Sequence, residues 1–421
     1  MRAEIRPSRA KGVICAPPSK SMAHRYLICA GLAEGESVVR NLAYSEDIKA
    51  TIACLRTLGA DIRLEGSTAY VKGVDVVKPH GMTAILPCNE SGSTLRFFIP
   101  ICMLSGEERV LTGSARLMQR PLKFYELLAE SQKLSFEKKA DRVIARGPLH
   151  SSIFKCSGDI SSQYYSGMLF ALPLRNKTSI LDIALPVESS PYIDMTISAL
   201  KEFGIHIRKK NNTEDNKLVL TVPGRIENPS AYNPADVTVE GDWSNAAFFE
   251  ALNYAGSDVA VQGLRKDSLQ GDKVCSELFE KLGDHKVIDI NGIDISDCPD
   301  LGPALFAVAA LCEGGYFTGT RRLKIKESDR GVAMKHELAK VGIRVDVREN
   351  SVIVHPGELR APAVPIDGHN DHRIVMAMAI LLTVTGGVID GAEAVNKSFP
   401  DFFDRLKELG VDLDYGMDQP I

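Results

Sequence analysis

CLRTLGADIRL (residues 54–64) ends what reads as an amphipathic helix on Leu-Gly and reopens as a short alternating strand, and the same phrase returns five more times. The other copies are LLAESQKLSFE (127–137), ALKEFGIHIRK (199–209), LFEKLGDHKVI (278–288), ELAKVGIRVDV (337–347) and RLKELGVDLDY (405–415). Gly59, Gly204, Gly283, Gly342 and Gly410 stand at five of the helix ends, where a left-handed C-cap favours glycine, and the second copy has Lys133 near that place. A second set lies between these phrases: a strand, a short turn of Ser, Gly, Asp or Asn, then an apolar helix. Its members are PPSKSMAHRYLICAGL (17–32), CNESGSTLRFFIPICML (88–104), SGDISSQYYSGMLFALPL (157–174), VEGDWSNAAFFEALNYAG (239–256), DISDCPDLGPALFAVAAL (294–311) and DGHNDHRIVMAMAILLT (367–383).

Taking Ser21, Ser91, Ser161, Ser244, Asp300 and Asp371 as markers, the repeat length is roughly 70 residues, one supersecondary unit each. The chain therefore reads as six similar α/β units. In each, one helix is apolar nearly all round, which implies burial, and one is amphipathic, which implies a face in solvent. Helices inside and sheets around them satisfy both. The polar stretch KKNNTEDNK (209–217) reads as a hairpin tip, and the Pro-rich ENPSAYNPADV (227–237) as the interdomain linker, with three units before it and three after.

Composition narrows the function. With 421 residues, 44% apolar and 25% charged, the chain is an ordinary globular protein with room for two domain cores. A formal charge of -4 gives no general case for nucleic acid or an anionic membrane as partner, so anion binding has to come from local clusters. The nine cysteines are odd in number and contain no C-x-x-C pair, which argues against a disulfide framework and a zinc site and for a reducing cytoplasm. The opening MRAEIRPSRAKG has no apolar core behind it, and the apolar run 374–385 is too short to span a bilayer, so neither export nor a membrane is expected. No dinucleotide fingerprint or metal-ligand spacing is present, and no cofactor is predicted.

Cations sit where a helix start disfavours them. Lys20, Arg25, Arg96 and Arg373 lie in the first turns of the apolar helices, against the macrodipole, and a bound anion would remove the conflict. Ser21 and Arg25 share a face, as do Gly92 and Arg96. Taken alone, each is equally well read as a solvated charge or a Ser cap.

The motifs PPSKSMAHR, NESGSTLR, QRP, SGDISSQ, SSPYID, PDLGPAL, KIKESDR, NDHR and NKSFPDFF occur in the order seen in the enolpyruvyl transferases, and the chain resembles that family from Lys20 to Phe403. The resemblance implies two domains, each of three βαβαββ units with buried helices and sheets outside, an inside-out α/β barrel. Residues 1–18 with 236–421 would form one domain and 19–235 the other, with the active site in the cleft between them. Among the family's members the match is to those that act on shikimate 3-phosphate. It implies transfer of the enolpyruvyl group of phosphoenolpyruvate to the 5-hydroxyl of that substrate, with release of phosphate, in aromatic amino acid biosynthesis.

The same resemblance assigns Ser21 and Arg25 to the shikimate carboxylate end, Ser161, Ser162 and Ser189 to its phosphate, and Gln163 and Tyr192 to the lining of that pocket. It assigns Lys20, Gly92, Arg96, Arg120, Arg330, Arg373 and Lys397 to phosphoenolpyruvate, and adds Lys326 and His372 to the substrate-binding set. Asp300 would take the hydroxyl proton, Glu327 exchange the proton at C3, and Lys20 assist at the leaving or bridging oxygen. The two substrates bring roughly five to six negative charges into one place, at about 4 kcal/mol for each pair of unit charges 4 Å apart, so several fixed cations are required. Small-molecule substrates, no nucleic acid, no membrane and a monomer are the expected partners.

Plainer roles remain open for several of these residues. Asp300 is placed to cap a helix, Glu327 and Arg330 to form a surface ion pair, and His372 to be an N-terminal polar residue or a buried, hydrogen-bonded one. Glu90, Pro18 and Arg322 depart from the commonest family pattern, with Glu90 placed to orient Lys20 or a neighbouring arginine, or to cap its helix. The relatives acting on UDP-N-acetylglucosamine fit less well, because Lys20 is followed by Ser21 and residues 114–121 contain no Cys. An RNA 3'-terminal phosphate cyclase finds no support in the charge balance, and a binding protein without catalysis has no need of Lys20, Asp300 and Glu327 together.

Overall fold

The computed structural model describes residues 1–78, 81, 83–284 and 292–416. The chain divides into two compact units, Met1–Ser19 with Glu240–Ile421, and Lys20–Val239. Each has its own hydrophobic core.

Three four-stranded sheets belong to the Lys20–Val239 unit. The second of them shows the pattern: Ala84–Pro87 pairs in parallel with Arg109–Thr112, which pairs antiparallel with Arg142–Arg146, which pairs antiparallel with Ser135–Lys138. A helix separates the two parallel strands in sequence, as a parallel crossover requires. Ile153–Cys156, Ser179–Ala184, Lys217–Val222 and Arg208–Asn212 repeat the order, and so do Asp236–Thr238, Glu36–Arg40, Thr68–Lys72 and Asp61–Glu65. Strands alternate as a half-buried sheet should: along Lys217–Val222 every second residue, Leu218, Leu220 and Val222, enters the core.

The other unit repeats the arrangement with Ile293–Asp294, Gly315–Thr318, Ser351–Val354 and Val345–Val347, and with Ile366–Asp367, Gly387–Asp390, Arg2–Ile5 and Leu413–Gly416. Its third sheet is the parallel pair Asp258–Gln262 and Lys11–Cys15. This unit is discontinuous because Arg2–Ile5 lies between two strands from the far end of the chain. The strand expected within 285–288 lies outside the described residues.

The two classes of helix separate as their sequences require. Lys20–Leu32, Gly92–Cys102 and Ser162–Ala171 are buried nearly all round in one unit, and Trp243–Ala251, Gly302–Leu311 and His372–Thr385 in the other. Glu46–Thr57, Lys123–Gln132 and Arg330–Lys340 bury one stripe each. Gly92–Cys102 and Ser162–Ala171 pack so closely that a Cβ at Gly167 would stand 2.5 Å from the Arg96 carbonyl oxygen.

Four of the five expected helix-ending glycines are left-handed: Gly59, Gly204, Gly342 and Gly410. Gly283 is not. It remains the last residue of the helix Cys275–Gly283, which Asp284 caps in a non-left-handed conformation. Lys133, in the copy without glycine, does take the left-handed cap, at φ 55°. The hairpin at 209–217 is present, with strands Arg208–Asn212 and Lys217–Val222. The stretch 227–237, read from its prolines as a linker, is instead packed into the Lys20–Val239 unit. Tyr232 is fully buried, its hydroxyl donates to the Phe170 carbonyl at 2.6 Å, and Asp236–Thr238 is a sheet strand. Proline-rich composition marks a chain without helix or central strand, which a packed extended segment satisfies as well as a free one does.

Candidate active site

In the Lys20–Val239 unit, Lys20 is the first residue of its helix, and its ammonium is held by Asp47 Oδ2 at 2.9 Å. Asp47 lies in the first turn of the next helix, Glu46–Thr57, where an acid suits the positive end of the macrodipole. Glu90, the carboxylate singled out for Lys20 from sequence, is half-buried before Ser91, whose side chain caps the helix Gly92–Cys102 by accepting from Thr94 N at 3.2 Å.

Arg96 is buried in that helix, and a proline explains how it is held. Pro100 has no N–H for the Arg96 carbonyl four residues earlier, and the hydroxyl of Tyr125 donates there instead, at 2.6 Å. The guanidinium donates to Gln163 Oε1 at 2.6 Å, and the Gln163 amide donates on to Ser93 Oγ at 2.9 Å. Burial and the neighbouring Arg120 lower the Arg96 pKa, partly offset by Tyr164. Two arginines this close favour an anion between them. Gly92 forms the floor of this place: a Cβ there would lie 2.3 Å from Arg120 Nη1 and 3.3 Å from Arg96 Nη1.

Arg25 is also buried, but most of its donors serve the fold. Nε donates to Thr196 Oγ1 at 2.9 Å, Nη1 to the Ser21 carbonyl at 2.7 Å and Nη2 to the Tyr192 carbonyl at 2.9 Å. It thus ties its own helix to Ser190–Glu202, and burial lowers its pKa to about 10. Ser189, buried and left-handed at φ 57°, precedes that helix, and Tyr192 lies in its first turn. Ser161 caps Ser162–Ala171, accepting from Gln163 N at 3.4 Å, with Ser162 buried beside it.

The second cluster belongs to the Glu240–Ile421 part and centres on Arg330, whose side chain is 1% exposed. Nε donates to Asp371 Oδ2 at 2.9 Å, Nη1 to Asp300 Oδ1 at 2.7 Å and Nη2 to Glu327 Oε2 at 2.6 Å. Lys326 Nζ is 3.0 Å from Asp300 Oδ1, and Arg373 Nη1 donates to the Asp300 carbonyl oxygen at 2.9 Å. Arg330, which the resemblance assigns to phosphoenolpyruvate, also holds three carboxylates in fixed relation. The surface-pair alternative for Glu327 and Arg330 is overturned by burial. The cap alternative for Asp300 fails too: Leu301 holds the position before Gly302–Leu311, and the Asp300 carboxylate faces cations.

Burial alone would push the Asp300 carboxyl up, but Lys326, Arg373 and Arg330 together outweigh it and hold the group well below the usual range. Burial lowers Lys326 in turn, helped by Arg330 and Arg322 and opposed by Asp300. Arg322 is buried on the turn Arg321–Ile325, so this departure from the family pattern adds positive charge beside Lys326. His372 is buried at the start of His372–Thr385. Lys397 donates to the Asn370 carbonyl at 2.6 Å, just ahead of Asp371 and Arg373. Among the described residues no group of His, Cys, Asp and Glu is arranged to hold a metal ion.

Sequence reading passed over Asp47 and, as a site residue, Asp371. Asp371 is fully buried and accepts from Arg330, from Ser328 Oγ at 2.9 Å and from Arg373 N at 3.0 Å. Its place two residues before the cation Arg373 at a helix start was the available signal.

Buried arginines around Gly92 in one unit and a fixed set of carboxylates and cations in the other suit a class of protein that handles acidic small molecules. The sequence matches the model of the family EPSP synthase (3-phosphoshikimate 1-carboxyvinyltransferase) over residues 5–406, and the chain belongs to that family. It is 38% identical over 429 residues to the 3-phosphoshikimate 1-carboxyvinyltransferase of Clostridium botulinum (strain Alaska E43 / Type E3), covering 97% of each protein. It is 38% identical over 424 residues to that of Clostridium perfringens (strain ATCC 13124), covering 96% of this chain and 97% of the relative. The solved EPSP synthase from Acinetobacter baumannii shares the fold, with a TM-score of 0.77 at 22% identity over 99% of this chain and all of that one.

Proposed function

We propose that the protein transfers the enolpyruvyl group of phosphoenolpyruvate to the 5-hydroxyl of shikimate 3-phosphate and releases phosphate, with the two clusters acting on one pair of substrates. Family membership along nearly the whole chain supports the reaction. The observation that carries the division of labour is the cluster in which Arg330 fixes Asp300 and Glu327 as separate carboxylates, 2.7 and 2.6 Å from two nitrogens of one guanidinium.

The chemistry is addition followed by elimination. Asp300 accepts the proton of the attacking hydroxyl as oxygen bonds to C2, and Glu327 delivers a proton to C3. Glu327 then takes a proton back from C3 as phosphate leaves, so one group serves as acid and then as base. Lys20, oriented by Asp47, meets the negative charge gathering on the bridging or departing oxygen. Arg96 and Arg120 around Gly92, with Arg373, Lys326 and Lys397, hold the phosphoenolpyruvate end. Ser161, Ser162 and Ser189 hold the shikimate phosphate, with Gln163 and Tyr192 lining the pocket. Arg25 reaches the substrate carboxylate by the donor that its internal bonds leave over, together with Ser21.

A cytoplasmic location is supported by nine free cysteines, seven of them buried, and a monomer completes the reading. Among the described residues no helix is long and apolar enough to cross a membrane.

Phosphate release from purified protein given phosphoenolpyruvate with shikimate 3-phosphate, or with UDP-N-acetylglucosamine, tests the reading. Release with the shikimate ester alone is expected. Release with the sugar nucleotide, or with neither, overturns it.

A further inference from the structure

The Glu240–Ile421 part holds one more carboxyl, and the reaction as described makes no use of it. Asp272 ends a loop that is bonded residue by residue to the segment entering the helix Trp243–Ala251. Gln270 Nε2 donates to the Gly241 carbonyl at 2.8 Å, Trp243 N donates to Gln270 Oε1 at 3.0 Å, and Ser268 Oγ donates to Glu240 Oε1 at 3.0 Å. The Asp272 side chain is thereby fixed and 1% exposed. Its Oδ2 accepts from the Ser244 hydroxyl, and its Oδ1 has no hydrogen-bond partner among the described residues. A buried carboxylate with a single hydroxyl donor is a costly arrangement, whereas a neutral carboxyl fits there.

Its surroundings point the same way. Asp242, at the start of the same helix, is buried and already accepts from Asn245 N at 2.8 Å. The turn Pro299–Leu301 brings Asp300, with Cys298 just before it, and His372–Thr385 brings Arg373. On its own side of the loop stand Cys275 and, behind that thiol, Glu250. Among the described residues the cation that acts most on Asp272 is Arg373, and its guanidinium also meets Asp300, donating to the carbonyl oxygen at 2.9 Å with Nε 3.7 Å from Oδ1. Burial first, then Asp300 and Asp242, push the Asp272 carboxyl up to about 7, while Arg373 and Ser244 pull it down.

We propose that Asp272 is a positioning residue of the anion site, held protonated so that Arg373 stays available to the anionic substrate, and that its ionisation draws on Arg373 and loosens substrate binding as pH rises. This rests on the reading that Arg373 serves phosphoenolpyruvate. Below neutrality the two buried carboxyls of the free protein then divide their roles: Asp300 stays ionised as a base, and Asp272 holds its proton and adds no charge.

Asp272→Asn copies the protonated form in shape and charge. The KM for phosphoenolpyruvate is measured from pH 6 to pH 9 for both proteins at saturating shikimate 3-phosphate, and the ratio of wild type to variant cancels the titration of the substrates themselves. The ratio is expected to be smallest at pH 6, to begin rising near pH 7 and to reach about tenfold at pH 9, with kcat moving less. Ser244→Ala removes the only donor to Asp272, and should move the rise to higher pH. A ratio that stays flat with pH, or a rise that Ser244→Ala leaves in place, overturns the proposal. Should Asp272→Asn fail to fold, 13C NMR of carboxyl-labelled wild type decides: one aspartate titrating near neutrality and shifting when phosphoenolpyruvate is added is expected, and none doing so refutes it. A wild type that releases no phosphate fails the proposed reaction, whereas an active wild type with a flat ratio fails this inference alone.

Discussion

Arg330→Met tests the charge cluster most severely. The guanidinium makes four hydrogen bonds to carboxylates, at 2.9, 2.7, 2.6 and 3.3 Å, inside a site where its own side chain is 1% exposed. Each charged bond is worth about 1.5–3 kcal/mol net, but the variant also avoids desolvating the arginine. Breaking a buried pair by removing one partner costs about 3–5 kcal/mol, and here three carboxylates lose the same partner, so the upper end, about 5 kcal/mol, is expected. At about 2–4 °C for each kcal/mol, Tm should fall by more than 10 °C.

The loss should depend on pH. In the wild type the Asp300 carboxyl is depressed, so it contributes stability that is present above the ordinary carboxylate pKa and lost as pH falls through the lower folded value. Without Arg330 that carboxyl, still buried, rises toward or past its unfolded value, and the contribution shrinks or reverses. The difference between the two proteins should therefore be widest at pH 7 and narrow only below the ordinary carboxylate value, toward pH 3. Urea denaturation at the two pH values measures it. A loss below about 1 kcal/mol at pH 7, or one equal at both pH values, would refute the reasoning.

Three further outcomes are expected. Asp300→Asn and Glu327→Gln should each lower kcat by about 10²–10⁴ while shifting substrate affinity far less, because they alter proton transfer more than shape; parallel losses of affinity in calorimetric titration would make them binding groups instead. Gly92→Ala sets a methyl 2.3 Å from Arg120 Nη1, and should raise the KM for phosphoenolpyruvate about tenfold or more with Tm unchanged; an unchanged KM would place the small anion elsewhere. Asp47→Ala releases Lys20 from its 2.9 Å partner and should cut kcat more than it raises KM, with Asp47→Glu recovering part of the loss; equal recovery by Asp47→Asn would remove charge from the explanation.

The repeat and the two helix classes were legible because each rests on local periodicity. Leu-Gly before an alternating strand is visible within eleven letters, and burial on all sides is visible in a run such as Gly302–Leu311. The cations at helix starts were visible for the same reason. What each cation touches was not. Arg330 meets Asp371 across 41 residues and Asp300 across 30, and Lys20 meets Asp47 across 27, so these pairs are products of how the units fold rather than of spacing. Arg25 shows the same limit. Its position four after Ser21 reads as a ligand, whereas Thr196 and Tyr192, from a helix far along the chain, take most of its donors. Gly283 ends its helix without a left-handed turn, because a glycine permits that conformation and does not impose it.

Affinity for phosphoenolpyruvate in the presence of shikimate 3-phosphate, measured for Arg96→Met, Arg373→Met and the pair of substitutions together, tests directly whether one substrate is held by cations of both units. Each single change should weaken binding tenfold or more, and the double change should weaken it further. Loss confined to one of the two arginines would contradict the account.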